Sequence, residues 1–220
     1  MDLMTTHALV LSTGHEVVHA TSMAPLMTAR AAGALSVIFD VVAGAWWVFE
    51  FLMHARQAPR TSAEQPGDRT SAAVSLSLYL GIIAAVVLGH FGHLPWPGGS
   101  TWPVVTGIVL VLTGTAIRAW CIATLGRFFQ FHIQVLEGHQ VVTGGPYRFV
   151  RHPSYTGLIL VLAGFGFASG DILGLVAAVA IIITGLTIRM RAEEQQLTAA
   201  LGPEYELFAA TRKRVLPAVW

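Results

Sequence analysis

Five apolar runs divide the chain, and polar clusters separate them. Residues 32–53, 72–93 and 102–124 are the first three. About 20 apolar residues cross a bilayer core as a helix, so each predicts a transmembrane span. Residues 154–169 and 172–188 are the last two, joined only by Ser169-Gly170-Asp171. So short a turn predicts an antiparallel helical hairpin. The 154–169 run is short for a full span and is expected to begin inside the protein. Residues 54–71 combine Pro59, Pro66 and Gly67 with several charges, the composition of a solvated loop. Pro95-Trp96-Pro97-Gly98-Gly99 predicts a tight reversal. Residues 125–153 are a long polar connection, and residues 189–220 a charged tail. In that tail Leu197, Leu201, Tyr205 and Phe208 recur at intervals of three or four, which predicts an amphipathic helix broken or kinked at Gly202-Pro203.

Composition agrees with this pattern. The 220 residues are 54% hydrophobic and only 11% charged, where soluble domains carry roughly a quarter charged residues. The expected fold is therefore all-α: an integral membrane bundle of about five transmembrane helices, with a polar loop and a C-terminal helix at one face. A net charge of +1 with no basic tract gives no sign of a nucleic-acid partner. Residues 1–31 are a weakly apolar leader, read as interfacial or disordered, without the basic start of a signal peptide. His15 and His19 fall on adjacent helical turns there, but too few further ligand types accompany them to predict a metal. Cys121 is read as a small packed hydrophobe.

Charge within the spans raises separate questions. Asp40 lies centrally in the first span and is expected to bond a neighbouring helix or act directly. Glu50 is nearer an end and is expected to reach water. Trp46 and Trp47 suit an interfacial belt, and Arg118 is placed to snorkel. The basic residues of the 54–71 loop, of the 125–153 connection and of the tail fall on one side if there are five spans. The positive-inside rule then puts that side in the cytoplasm and the N-terminus outside.

Two polar stretches carry the candidate chemistry. In the first, Gly144-Gly145-Pro146 predicts a turn that presents Tyr147 and Arg148. Arg151-His152-Pro153 ends the loop, and Pro153 suits the first turn of a helix whose free N–H groups can meet an anion. Tyr147, His152 and Tyr155 can bind a small polar ligand; they can equally be interface anchors, with Arg151 on lipid phosphate. In the second stretch, Arg189 and Glu193 share one helical face, while Arg191 and Glu194 point elsewhere. That pair is either a helix-end salt bridge or a ligand site in which Glu193 accepts hydrogen bonds and Arg189 holds a carboxylate. No zinc helix, P-loop, nucleophile elbow or Rossmann fingerprint occurs, so direct transfer between two positioned partners fits better than covalent catalysis.

The run GHQVVTGGPYRFVRHPSYTG, followed by a hairpin and RMRAEEQQLTAALGPEYELFAATRKRVLPAVW, resembles the isoprenylcysteine carboxyl methyltransferase family over roughly residues 125–220. Residues 1–100 resemble it only in hydropathy. The resemblance implies methyl transfer from S-adenosyl-L-methionine at the cytoplasmic face, with 125–220 as the catalytic region. The acceptor, an isoprenylcysteine-like carboxylate or a thiol, would be a lipophilic small molecule or prenylated chain reached through membrane lipid. It implies cofactor contacts at Gln134, His139, Tyr147, His152, Tyr155 and Glu193. Gln140, Val141 and Val142 lie in the same backbone stretch as His139, and Pro153 and Ser154 in the stretch of His152. Glu193 and Arg189 are the implied catalytic residues, and Arg189 the acceptor-binding one. No metal is implied. The chain is shorter than eukaryotic members, which widens the acceptor set to a small thiol, an isoprenoid acid or a phospholipid amine. Two competing readings are an NADPH-dependent sterol-type reductase and a non-catalytic subunit that holds an anionic lipid headgroup.

Overall fold

Among the described residues six α-helices form the fold: α1 (Gly14–Arg56), α2 (Arg69–Phe91), α3 (Thr101–Leu125), α4 (Pro153–Ala168), α5 (Ile172–Leu201) and α6 (Pro203–Thr211). The computed structural model describes residues 14–56, 69–92, 94–99, 101–130 and 140–217, with side chains in α1 from Gly33 onward. Among the described residues there is no strand, only two isolated bridges, so the fold is an all-α membrane bundle. Four helical segments are long and apolar enough to cross a bilayer: Gly33–Arg56, Thr70–Phe91, Thr101–Phe128 and Ile172–Leu201. The fifth, α4, has 16 residues. At 1.5 Å per residue it spans about 24 Å, short of a bilayer core of about 30 Å.

These helices are apolar on every side, as membrane spans are. Trp46, Val111, Val161, Leu162, Ile182, Leu186 and Met190 fill the interior, while Val37, Val41, Ile83, Val109 and Val176 face outward. With lipid as apolar as the core, close backbone approach must hold the helices together. Glycine supplies it between α3 and α4. A Cβ on Gly114 would lie 2.4 Å from the carbonyl oxygen of Gly157, and one on Gly157 2.7 Å from that of Gly114. One turn-pair further on, Gly107 and Gly164 repeat the arrangement at 2.7 Å each way. Between α2 and α5, Gly185 receives Ser77 in the same manner.

The end of the bundle away from the polar loop is closed by Asp171. Its carboxylate caps α5, accepting from the backbone N–H of Leu173 (2.7 Å) and Gly174 (3.4 Å). Its other oxygen accepts from Leu94 N–H at 2.8 Å, and Ile172 N–H returns a bond to the Leu94 carbonyl. Trp96 stacks on Phe167 beside this junction, and Trp102 donates to the Pro97 carbonyl at 2.9 Å.

Five expectations are corrected. Glu50 does not reach water; it is buried and paired with Arg118, which is itself 3% exposed and does not snorkel. Asp40, by contrast, is exposed. It borders a small cavity with Val104 near the start of α3 and Ser169 at the end of α4, so it lies toward the far end of the bundle. The two carboxylates share the spacing of one helix, and the neighbouring helix ends, invisible in hydropathy, decide which is deep. Trp46 is in the core and edges onto Phe165, because the ring fills space that the close-packed helices leave. Last, the fifth apolar run does not end at 188. Ala, Glu, Gln and Leu continue it as one helix to Leu201, and Gly202, at φ 55°, makes the break.

Candidate functional site

The polar loop is held from two sides. Gly145 takes φ 54°, which glycine adopts freely, and starts a 3-10 turn, Gly145–Arg148, that buries Tyr147. A side chain at Gly145 would strike Thr124 at the end of α3, since its Cβ would lie 2.7 Å from Thr124 Oγ1. Burial holds the Tyr147 phenol well above its ordinary pKa, and the neighbouring Cys121 and Glu193 add to this, so it stays protonated. On the other side the tail returns after α6. Val150 and Lys213 form a parallel bridge, Arg151 N–H donates to the Lys213 carbonyl and His152 N–H to that of Arg214, both at 2.8 Å. Thr156 Oγ1 donates to the Val215 carbonyl at 2.7 Å, which ties the strap to α4.

Where loop, strap and α5 meet, two adjacent glutamates take different roles. Glu194 is a hub. It pairs with Arg151 Nη1 at 3.0 Å and accepts from Arg214 Nη2 (2.7 Å) and Nε (3.1 Å), and His152 Nε2 lies 3.1 Å from it. The carboxylate in turn holds the Arg214 guanidinium above its usual pKa. Glu193 is more open, its side chain 29% exposed. It accepts from the Tyr155 hydroxyl at 2.6 Å, with His152 Nδ1 3.9 Å away. The Tyr155 hydroxyl accepts from Arg189 Nε at 3.3 Å. Arg189, 4% exposed, also donates through Nη1 to Ser71 Oγ (2.8 Å) and Thr70 Oγ1 (3.1 Å) on the first turn of α2. The His152 ring stacks on Tyr155, with centroids 5.4 Å apart.

The structure therefore brings Tyr147, His152, Pro153, Ser154, Tyr155, Arg189 and Glu193 to one end of the bundle. Arg189 and Glu193 do not pair directly in the bonds described; Tyr155 joins them. Pro153 and Ser154 are buried in the first turn of α4. Gln140 is exposed and Val142 half-buried. Val141 borders a separate cavity of about 400 Å³ between the loop and α6, lined also by Thr143, Leu207 and Phe208, with Glu204 and Arg212 at its edge. Gln134 and His139 lie outside the described residues.

Sequence reasoning missed the role of Glu194, which helical spacing alone turns away from Arg189. Its partner Arg214 lies in the tail, and their approach depends on the strap. Thr70 and Ser71 were also missed, because an α2–α5 contact leaves no local signal. Tyr205 is the one hint that spacing offered. Its buried hydroxyl has no partner among the described residues, and burial with Glu194 and Glu193 nearby raises its pKa.

Residues 107–199 match the family described as "Isoprenylcysteine carboxyl methyltransferase (ICMT) family". A rice protein (Oryza sativa subsp. indica) named "Probable protein-S-isoprenylcysteine O-methyltransferase" is 31% identical over 115 residues, which cover 51% of this chain and 60% of that protein. Arabidopsis thaliana protein-S-isoprenylcysteine O-methyltransferase A is 30% identical over 120 residues, 54% of this chain and 61% of that one. The Homo sapiens protein-S-isoprenylcysteine O-methyltransferase is 39% identical over 59 residues, 26% of this chain and 21% of its own length. The chain thus spans about three fifths of the length of the plant relatives it matches.

Proposed function

We propose that this multi-pass membrane protein, whose residues 107–199 match the isoprenylcysteine carboxyl methyltransferase family, transfers a methyl group from S-adenosyl-L-methionine to a lipophilic acceptor. The acceptor is an isoprenylcysteine-like carboxylate or a thiol, and the reaction takes place at the cytoplasmic face, with the N-terminus outside. The observation that carries the reading is the chain of contacts Arg189–Tyr155–Glu193 at the loop end of two apolar spans.

The residues present suit such a donor. Glu193 offers an accessible carboxylate to amine or ribose hydrogen-bond donors. The hydroxyl of Tyr205 and the Nε of Arg151, without a hydrogen-bond partner among the described residues, are buried polar atoms of the kind a polar ligand satisfies. Gln134, His139, Gln140, Val141, Val142, Tyr147, His152, Pro153, Ser154 and Tyr155 complete the proposed cofactor-binding set. S-adenosyl-L-methionine, when bound, supplies an electrophilic methyl on a sulfonium.

The chain's own work is positioning. Arg189 is anchored by α2 hydroxyls and holds the acceptor carboxylate, or favours a thiolate, through charge. A carboxylate acceptor needs no general base, so alignment and exclusion of water are the main contributions. The Arg189 guanidinium and the Glu193 carboxylate sit on either side of one phenol, which suits an anionic acceptor and a cationic donor held side by side.

Calorimetric titration of the detergent-purified protein with S-adenosylhomocysteine tests this, with NADPH in parallel and methyl transfer to a farnesylated cysteine as the activity readout. Glu193→Ala should weaken binding, and Arg189→Ala should lose turnover while still binding. Equal loss of both properties in both variants would reduce the pair to a structural contact, and NADPH binding alone would make the protein a reductase.

A further inference from the structure

Away from the glutamate cluster, an ion pair is buried in the apolar interior. Arg118 of α3 meets Glu50 of α1 with both arms of its fork, Nε to Oε1 at 2.5 Å and Nη2 to Oε2 at 2.7 Å. Its remaining nitrogen, Nη1, donates to Ser154 Oγ at 2.8 Å and reaches the Ser154 carbonyl at 3.4 Å. All three residues are at least nine-tenths buried. The arginine stem runs flat along α4: a Cβ on Gly157 would lie 2.8 Å from Arg118 Cγ.

Stability is a weak explanation for such a pair. Desolvating two charges cancels most of their attraction, and apolar replacement of both partners is often neutral or better. Its location is more informative. Ser154 is in the first turn of α4, flanked by His152 and Tyr155, which contact Glu194 and Glu193. One turn beyond Arg118 on the same face of α3, Cys121 is a buried neighbour of Tyr147. A single stripe of α3 thus underlies both the Tyr147 turn and the start of α4.

We propose that Glu50 and Arg118 are positioning residues. Their pair fixes the first turn of α4 so that His152 and Tyr155 face the glutamates at the spacing the ligand needs. The proposal rests on the cofactor reading above. Arginine is required for its planar fork, since a lysine ammonium cannot bond both carboxylate oxygens and Ser154 in the same geometry.

The test compares wild type, Arg118→Lys and the double variant Glu50→Leu/Arg118→Met. Thermal unfolding and S-adenosylhomocysteine titration are measured on each, with hydrogen exchange of the α4 first-turn amides in the ligand-free protein. The double variant should unfold at about the wild-type temperature, yet bind on the order of tenfold more weakly. Arg118→Lys should show faster exchange at residues 155–157 than wild type, with little change elsewhere in α4. Wild-type affinity in a folded double variant overturns the proposal. So does a loss of affinity that only tracks a loss of stability. Should the double variant not fold, exchange in Arg118→Lys decides: unchanged protection of 155–157 overturns the proposal, and selective loss supports it. If wild type binds no S-adenosylhomocysteine, the cofactor reading fails, and the same exchange comparison still decides whether the pair fixes α4.

Discussion

Removing the Glu194 carboxylate should be the most damaging single change in the glutamate cluster, and the geometry says by how much relative to its partners. Three groups converge on it, with side-chain exposures of 16% for Arg151, 33% for Arg214 and 5% for His152. Glu194→Ala leaves the Arg151 guanidinium nearly buried without its counterion. Breaking a fully buried pair costs about 3–5 kcal/mol, and the residual exposure of Arg151 argues for the lower end, about 3 kcal/mol. Arg214 is a third exposed, so solvent screens its pair, and Arg214→Ala should cost only about 1 kcal/mol. Arg151→Ala belongs between the two, since Glu194 keeps Arg214 and His152. Chemical unfolding in detergent micelles, run on the three single variants and on Glu194→Ala/Arg214→Ala, measures both the order and the coupling. The double variant should be little worse than Glu194→Ala alone. An Arg214→Ala penalty equal to that of Glu194→Ala would refute the argument, because it would mean that the exposed partner carries the hub.

Gly114→Ala should destabilise the bundle by about 1–3 kcal/mol, because its Cβ would lie 2.4 Å from a backbone oxygen that has nowhere to go; unchanged unfolding would mean that α3 and α4 are further apart than described. Asp171→Ala removes the acceptor for three backbone N–H groups and should cost about 1–2 kcal/mol. That loss should be visible as faster hydrogen exchange at Leu94 and Leu173, with cofactor affinity unchanged; altered affinity would show that the far end of the bundle communicates with the site.

Much of this was written in the hydropathy. Each span is a run of apolar residues, and the Gly144-Gly145-Pro146 turn and the Gly202-Pro203 break stand where local chemistry puts them. The boundary at 188 was misread because the apolar signal stops there while helix propensity does not. Pairings across the bundle were not legible. Glu50 and Asp40 are both acids in one apolar helix, and only the partner helix distinguishes them. Likewise, periodicity sent Glu194 away from Arg189 correctly, but it could not show that a strap more than a dozen residues downstream would meet it with Arg214. Local sequence carries period and turn chemistry; long-range register comes from packing, which glycine contacts such as Gly114 to Gly157 impose between segments far apart in the chain.

The parallel bridge between Val150 and Lys213 has a consequence for biogenesis. Residues 213–215 follow α1–α5 in the order of synthesis, yet they supply the carbonyls that fix Arg151, His152 and Thr156. All the hydrophobic segments can therefore be inserted before the polar loop has its second edge. Glu194 waits for Arg214 during that interval, and the half-built pocket has no fixed shape to hold a ligand. Folding at the membrane surface is thus a later event than insertion of α1–α5, and a nascent chain gains the second edge of the loop only once residues 213–215 have been made.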